Sequence, residues 1–242
     1  MAQSKRFTIH TNVFTGRSGV LAALCRSGPD DQTQPVDLRG EDPELFHAYL
    51  TFVYFGPETV EQWADASEAE TTAKPEGNTK DEKQAVADLV FEKLIRLYLL
   101  AERLIDFKTA NMVIAEIIRA SRLLGCIPTQ SPTSLAYVST ADGSPLRRLL
   151  RDYWVYESAS THTDHERVRA AGFPLECLQD IAIEGLRALE VPAEYPYVRF
   201  KTVETICAER VCYYHQHDEL HPKCVPEDSG EHDGAPSLII YP

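Results

Sequence analysis

The chain has 242 residues, of which 43% are hydrophobic, and this supplies enough apolar material for one large or two small domains with a core. Its formal net charge is −13, and the chain is near neutral outside two acidic segments, so no basic stripe remains to neutralise phosphates, which argues against nucleic acids and anionic membranes as partners. No run of 18 apolar residues is present, so we expect no transmembrane helix, and the polar first residues predict no signal peptide.

The six cysteines are scattered along the chain, at positions 25, 126, 177, 207, 212 and 224. Scattered cysteines without a secretory signal are typical of free thiols in a reducing compartment. We therefore expect the protein in the cytoplasm, in the nucleus or in both.

Most of the negative charge is concentrated in two segments. Residues 57–88 carry nine acidic residues against three lysines, and residues 217–233 carry six against one lysine. The first segment is almost free of aromatic residues, so it has too little apolar area to offset the entropy of ordering. This composition predicts a flexible acidic insertion over 57–88, inside the first domain.

The first part of the chain predicts short strands and helices in alternation. Apolar and polar residues alternate over 6–10, and a similar pattern over 35–38 predicts a second strand. A helix is expected over 13–25, although two glycines weaken it. Asp42, followed by a proline, predicts the start of a further helix, and Gly56, also followed by a proline, predicts its end.

Helical periodicity continues through the middle of the chain. Apolar residues three and four positions apart predict helices over 89–105 and 109–122. Two more helices are expected, one capped by Ser144 and one starting at Pro174. Residues 192–205 have no helical pattern and are interpreted as extended or irregular.

Several of these segments, taken in order, resemble the signature of the BTB/POZ domain family. They are Phe7-Thr8-Ile9-His10, Arg17-Ser18, Val36-Asp37-Leu38, Asp42-Pro43-Glu44-Leu45-Phe46, Phe52-Val53-Tyr54-Phe55-Gly56, Leu94, Leu97-Tyr98, Leu100-Ala101-Glu102-Arg103-Leu104, Asn111 and residues 114–118. Residues 144–152 and 212–217 resemble a layout found in uncharacterised fungal BTB-domain proteins.

The resemblance implies an α+β fold that is mostly helical. A BTB/POZ-like domain, with a small sheet flanked by helices, would span residues 5–124 and contain the acidic insertion. A helical extension would follow over 130–190, and an irregular, acidic tail rich in cysteine and histidine would occupy 191–242.

The same resemblance implies a protein–protein interaction module, a scaffold or adaptor that is not an enzyme. The residues also offer no catalytic or cofactor-binding candidate, because no phosphate loop, dinucleotide fingerprint or nucleophile elbow is present. One alternative is a substrate adaptor of a cullin-type ubiquitin ligase, and another is a zinc-dependent regulator acting through the C-terminal tail. The expected partners are proteins, with a cullin or a second copy of the chain among the candidates.

The tail carries the sharpest chemical candidate, a group of four potential metal ligands. They are Cys212, His215, His217 and Cys224. Two thiolates and two imidazoles can complete a tetrahedral zinc site, with Cys207 and His221 as substitute ligands. The spacing lacks the paired pattern of a zinc finger, so the alternative is a polar tail in which these residue types are incidental.

Five aromatic residues lie close together around the predicted helix that begins after Asp42. Phe46, Tyr49 and Phe52 have helical spacing, which is typical of core residues. Tyr54 and Phe55 lie next to a predicted loop, and they are the candidate interaction surface.

Two polar residues near the N-terminus have structural interpretations. His10 has no identifiable nucleophile or carboxylate beside it, so we interpret it as a structural histidine bonded to backbone. Ser18 lies near a helix start and is expected to be a cap or a buried hydroxyl.

Overall fold

The computed structural model describes residues 5–27, 38, 40–57, 80–157, 172–189, 202–210, 212–219 and 221–224. Every regular element within these residues is helical. The helices are α1 (Thr11–Thr15), α2 (Gly19–Ser27), α3 (Pro43–Phe55), α4 (Lys80–Arg103), α5 (Phe107–Leu124), α6 (Gln130–Ser139), α7 (Pro145–Asp152), α8 (Leu175–Leu189) and α9 (Val203–Glu209), with a π-helical turn (Tyr153–Glu157) directly after α7.

The predicted α+β fold with a small sheet is wrong, because the described residues contain no strand. The physical reason lies in the extended segment before α1, which is held by side chains of α3. Phe7 packs edge-on against Phe46 with ring centroids 5.2 Å apart, and the His10 N–H donates to the Tyr54 hydroxyl at 3.0 Å. Of the second predicted strand, only Leu38 lies within the described residues.

The single helix expected over 13–25 is divided into α1 and α2 by a turn. Ser18 ends this turn and is fully buried. Its hydroxyl donates to the Leu104 carbonyl at 2.6 Å and accepts from the Leu21 N–H at 3.0 Å. The sequence predicts a cap or a buried hydroxyl at Ser18, and its hydroxyl has both roles. The contact with Leu104 fixes α2 against the end of α4.

Both ends of α3 lie where the sequence predicts them. The Asp42 carboxylate accepts from the Glu44 N–H at 2.9 Å, which satisfies one of the free amides of the first turn. The helix ends before Gly56, whose φ of 76° is strained for other residue types. The predicted core aromatics Phe46, Tyr49 and Phe52 are all buried.

Helix α4 lies at the centre of the core. It begins at Lys80, earlier than predicted, so residues 80–88 of the predicted acidic insertion are helical, and Val86 and Ala87 are buried. Residues 58–79 of that insertion lie outside the described part of the chain. Although α4 has 24 residues, neither it nor any other described helix is long and apolar enough to cross a membrane.

A buried carboxylate joins the N-terminal helices to the central pair. Asp106 is fully buried at the start of α5. It accepts hydrogen bonds from the Tyr49 hydroxyl at 2.8 Å and from the Thr109 N–H and hydroxyl at 2.9 and 2.6 Å. The Arg17 Nε lies 3.5 Å from the same carboxylate, so one charge links α3, α5 and the turn before α2.

A buried arginine performs a similar role in the C-terminal half. Arg147 of α7 donates to the Tyr137 carbonyl at 2.6 Å and to the Thr140 carbonyl, which are free acceptors at the end of α6. It also pairs with Asp142 at 2.8 Å and with Glu176 at 2.9 Å. Helices α6, α7 and α8 are therefore joined through one side chain.

Helix α9 begins inside the segment that was predicted to be irregular, so that prediction is wrong for residues 203–205. The Thr202 hydroxyl accepts from the Thr205 N–H at 3.2 Å, and the Thr205 hydroxyl accepts from the Thr202 N–H at 2.8 Å. This is a capping box in which threonine takes the place of the usual glutamate. Residues 192–201 lie outside the described residues.

One cluster of buried apolar residues extends through the described chain, from Phe14 in α1 to Tyr214 near the C-terminus. Ala136 of α6 and Leu149 of α7 belong to the same cluster as the residues of α4. The domain boundaries expected at 124, 130 and 190 stay predictions.

Candidate metal centre

The residues around the four potential ligands are held on the helical body by side-chain hydrogen bonds. The Tyr214 hydroxyl donates to the buried Asp152 carboxylate of α7 at 2.7 Å. The Asn111 amide of α5 donates to the Gln216 carbonyl at 2.9 Å and accepts from the Gln216 N–H at 2.8 Å. These contacts place the backbone on both sides of His215.

The structure brings the four sequence-predicted ligands together. One ligand atom from each of Cys212, His215, His217 and Cys224 lies within 4.8 Å of the others, so the group could hold a metal ion. Because His215 and His217 are separated by one residue, both can face the cluster while Tyr214 and Gln216 face the helices.

The hydrogen bonding of His217 leaves one ring nitrogen available. Its Nδ1 lies 3.1 Å from the His221 carbonyl oxygen, and because a carbonyl can only accept, Nδ1 carries the proton. Its Nε2 is buried and has no hydrogen-bond partner among the described residues. An imidazole that donates from one nitrogen to a carbonyl and offers the other is the usual arrangement of a metal-binding histidine.

Two further distances fit a shared ion. The His215 Nδ1 lies 3.5 Å from the Cys224 Sγ. Zinc bonds of about 2.3 Å to sulfur and about 2.0 Å to nitrogen, at a tetrahedral angle, give a separation of about 3.5 Å. The Cys224 N–H also donates to the Cys212 Sγ at 3.3 Å, which would stabilise a thiolate at that position.

Burial affects the protonation of the ligands. Burial, and then the neighbouring His217, lowers the pKa of His215, which favours the neutral imidazole that binds metals. Burial, and then Cys212, raises the pKa of the Cys224 thiol. Since a thiolate is the ligand form, metal binding at this residue would release a proton.

Cys212 has an unusual backbone conformation. Its φ of 68° lies in the left-handed region, which costs a residue with a β-carbon about 1–2 kcal/mol. Strained backbone conformations of this kind are concentrated at ligand-binding and active sites, where the surrounding structure holds them. Here the conformation begins the turn that brings Cys212 beside Cys224.

The two substitute ligands considered for the site do not belong to the cluster. Burial raises the pKa of the Cys207 thiol to about 11, so this residue behaves as a packed thiol. The His221 Nδ1 pairs with the Asp218 carboxylate at 2.8 Å, and the backbone carbonyl of His221 orients His217. His221 therefore supports the site without contributing a ligand.

The aromatic candidates for an interaction surface have different surroundings. The Tyr54 hydroxyl lies 3.0 Å from the His10 Nδ1, and it also accepts a hydrogen bond from the His10 backbone N–H. The Tyr54 ring packs against Phe14. The His10 ring is thus bonded to the Tyr54 side chain, where the sequence predicts a backbone partner for it. Phe55 is 72% exposed, and its role in binding stays a prediction.

Three residues that position the site were not identified in the sequence as part of it. Asn111, Asp152 and Gln216 lie in segments that carry the family resemblance, but no metal-site motif includes them, and Asn111 is 105 positions away from the residue that it binds. The alternation of potential ligands with large polar residues from 214 to 217 was the available signal.

Comparison with models of known protein families, with curated proteins and with solved structures finds no match.

Proposed function

We propose that the protein is a non-catalytic interaction module whose C-terminal segment is stabilised by one structural zinc ion. The observation that carries the proposal is the group of four convergent ligands, Cys212, His215, His217 and Cys224, in which the His217 Nε2 is buried without a hydrogen-bond partner among the described residues.

The donor types favour zinc over other common ions. Calcium and magnesium prefer oxygen ligands, whereas the cluster offers two sulfur and two nitrogen atoms. Two thiolates with two imidazoles in a tetrahedral arrangement are typical of zinc.

The number of ligands supports a structural ion. Catalytic zinc sites keep one position for water or substrate, whereas four protein ligands close the coordination sphere. A closed sphere gives no place for a reacting molecule, and this agrees with a role in binding proteins.

The local composition shows what such an ion would contribute. Among the described residues of 212–219 and 221–224, only Tyr214 and His221 are buried, so this part of the segment has little apolar burial of its own. Metal binding supplies folding free energy to segments of this kind. The ion would therefore join Cys224 to the part of the segment that Asp152 and Asn111 already hold.

Metal analysis of the purified full chain tests the zinc site. We expect one zinc per chain, and we expect Cys212→Ser to lose it. Cys25→Ser is the matched control, because Cys25 is an exposed cysteine on α2 outside the cluster, and it should retain the metal. Wild-type protein without bound metal after growth and refolding in zinc would contradict the proposal, as would equal zinc content in the two variants.

Affinity purification from the native cells tests the interaction role with the same two variants as bait. Proteins recovered with wild type and Cys25→Ser, and lost with Cys212→Ser, would be partners that need the zinc-bound segment. A cullin in stoichiometric amount would support the adaptor function. Recovery of the bait alone, without a second protein or a second copy, would contradict an interaction module.

A further inference from the structure

We infer that the protein forms an antiparallel, two-fold symmetric dimer through the outward face of α8. The inference rests on the interaction role proposed above and names its partner, a second copy of the chain. The face is called the leucine stripe and consists of Leu175, Leu178, Ala182, Leu186 and Leu189.

The leucine stripe is a continuous apolar surface. At 3.6 residues per turn, its five positions fall within an arc of about 80°. The exposed fractions of its leucines, in chain order, are 70%, 44%, 63% and 69%. Exposed apolar side chains are normal when scattered singly, but a contiguous stripe of this kind marks an interaction site.

The opposite face of α8 is fixed on the helical body, so the stripe must point outward. Cys177 is fully buried. The Asp180 carboxylate accepts from the Tyr137 hydroxyl at 3.1 Å, and the Glu184 carboxylate accepts from the Tyr156 hydroxyl at 3.0 Å. These contacts leave α8 no rotation that would bury its leucines against the described helices.

The stripe is symmetric about Ala182. Leu178 and Leu186 lie four residues to either side of it, and Leu175 and Leu189 lie seven residues to either side. An antiparallel copy with its two-fold axis at Ala182 therefore places every leucine opposite a leucine, with the small alanines at the crossing point. A surface that matches itself under a two-fold rotation is what a symmetric dimer requires.

The helix dipoles favour the antiparallel direction, because the N-terminal end of each α8 then lies beside the C-terminal end of the other. The charged residues Glu176 and Arg187 lie away from the stripe, where Glu176 pairs with Arg147 and Arg187 with Glu184. The facing surfaces are therefore apolar along their whole length.

The size of the stripe and the charge of the chain determine how strong the dimer should be. One pair of 15-residue helices buries less than the roughly 1,600 Å² of a standard interface, so a reversible, concentration-dependent dimer is expected. Two copies with a net charge of −13 repel each other, and added salt screens this repulsion. Association should therefore become stronger from low to moderate salt.

Sedimentation velocity of the zinc-loaded full chain over a concentration series tests the dimer. We expect a monomer–dimer equilibrium that Leu178→Glu and Leu186→Glu each weaken by roughly tenfold or more, since each buries a charge in place of a leucine. Leu123→Glu is the matched control, because Leu123 is a leucine of α5 with 62% exposure outside the stripe, and it should leave the equilibrium unchanged.

Oxidative cross-linking tests the register. Ala182→Cys places one thiol on each side of the two-fold axis, so it should form an intermolecular disulfide rapidly. Gln179→Cys is the control, because in this register the two positions 179 are separated by about 9 Å along the helices, which exceeds disulfide reach.

Three results would overturn the inference: a monomer at every concentration, a dimer that Leu123→Glu weakens as much as the stripe variants, or equal cross-linking of the two cysteine variants. A monomer from which Leu178→Glu removes a different co-purified protein would overturn self-association and leave the interaction role in place. A monomer that recovers no protein at all would count against both.

Discussion

Asp106 concentrates the polar interactions of the N-terminal half in a single side chain. Because it is fully buried and accepts from Tyr49 and Thr109 beside Arg17, replacing it leaves several buried donors without an acceptor. We expect Asp106→Ala to lower the free energy of unfolding by about 3 kcal/mol or more, measured by urea denaturation.

Tyr49→Phe serves as the graded comparison. It removes one donor to Asp106 and keeps the packed ring, so the expected loss is about 1 kcal/mol. If Asp106→Ala costs no more than Tyr49→Phe, the carboxylate does not organise this region.

Asp88 provides a prediction about pH. It lies in the segment predicted to be a solvated insertion, yet it accepts from the Thr129 N–H and hydroxyl at 3.1 and 2.5 Å and from Gln84 at 3.2 Å. Burial raises its pKa above the ordinary 3.8, despite these hydrogen bonds. The folded chain therefore takes up the proton more readily than the unfolded chain.

The raised pKa of Asp88 determines how the free energy of unfolding changes with pH. The stabilising contribution of Asp88 is fully present below pH 3.8 and is lost as pH rises through the raised pKa of the folded state. Asp88→Asn does not titrate at this position. Relative to this variant, wild type should therefore lose stability as the pH rises from 3.8 through the raised pKa of Asp88. Urea denaturation of both proteins at several pH values measures the difference, and a constant or rising difference would contradict the raised pKa.

At the level of elements, local signals predicted helix ends well and failed where the partner is distant. Asp42 and Gly56 act on their own helix, so a few neighbouring residues suffice to predict them. The alternation over 6–10 also predicts an extended backbone, and residues 5–10 are indeed not helical. Whether an extended segment joins a sheet depends on what pairs with it, and here the partners are Phe46 and Tyr54 of α3.

The sequence predicts the ligands of the candidate site but not their convergence. The four ligands could be identified because cysteine and histidine are the residue types that bind zinc, whatever their position in the chain. Their convergence depends on the Asn111 and Asp152 contacts, which join residues 105 and 62 positions apart. No local pattern encodes a contact of that separation, and Thr205 was likewise missed because a threonine in place of glutamate weakens the capping signal.

For the whole molecule, the core and the metal centre should lose structure independently. Buried residues of α4 such as Leu94, Leu97 and Leu100 are not ligands of the cluster, so we expect their packing not to depend on an ion. We expect a zinc chelator to increase hydrogen exchange of the amides in residues 212–224 and to leave those of α4 unchanged. Thermal unfolding monitored by helical circular dichroism should shift little.

The chelator experiment has its own control. Cys212→Ser without chelator should show the same increase in exchange as chelated wild type, and chelator should change it no further. Loss of protection throughout α4 on metal removal would show that the ion stabilises the entire fold.

The way in which Tyr214 and Gln216 alternate with His215 and His217 has a consequence for how this segment can change over time. Over residues 214–217, the side chains at even positions face the helices and those at odd positions face the cluster. Deleting or inserting one residue here would direct the imidazoles towards Asp152 and Asn111 and turn the tyrosine away from them. The contacts on both sides of residues 214–217 therefore constrain the length of this stretch, because a change of one residue would exchange the two faces.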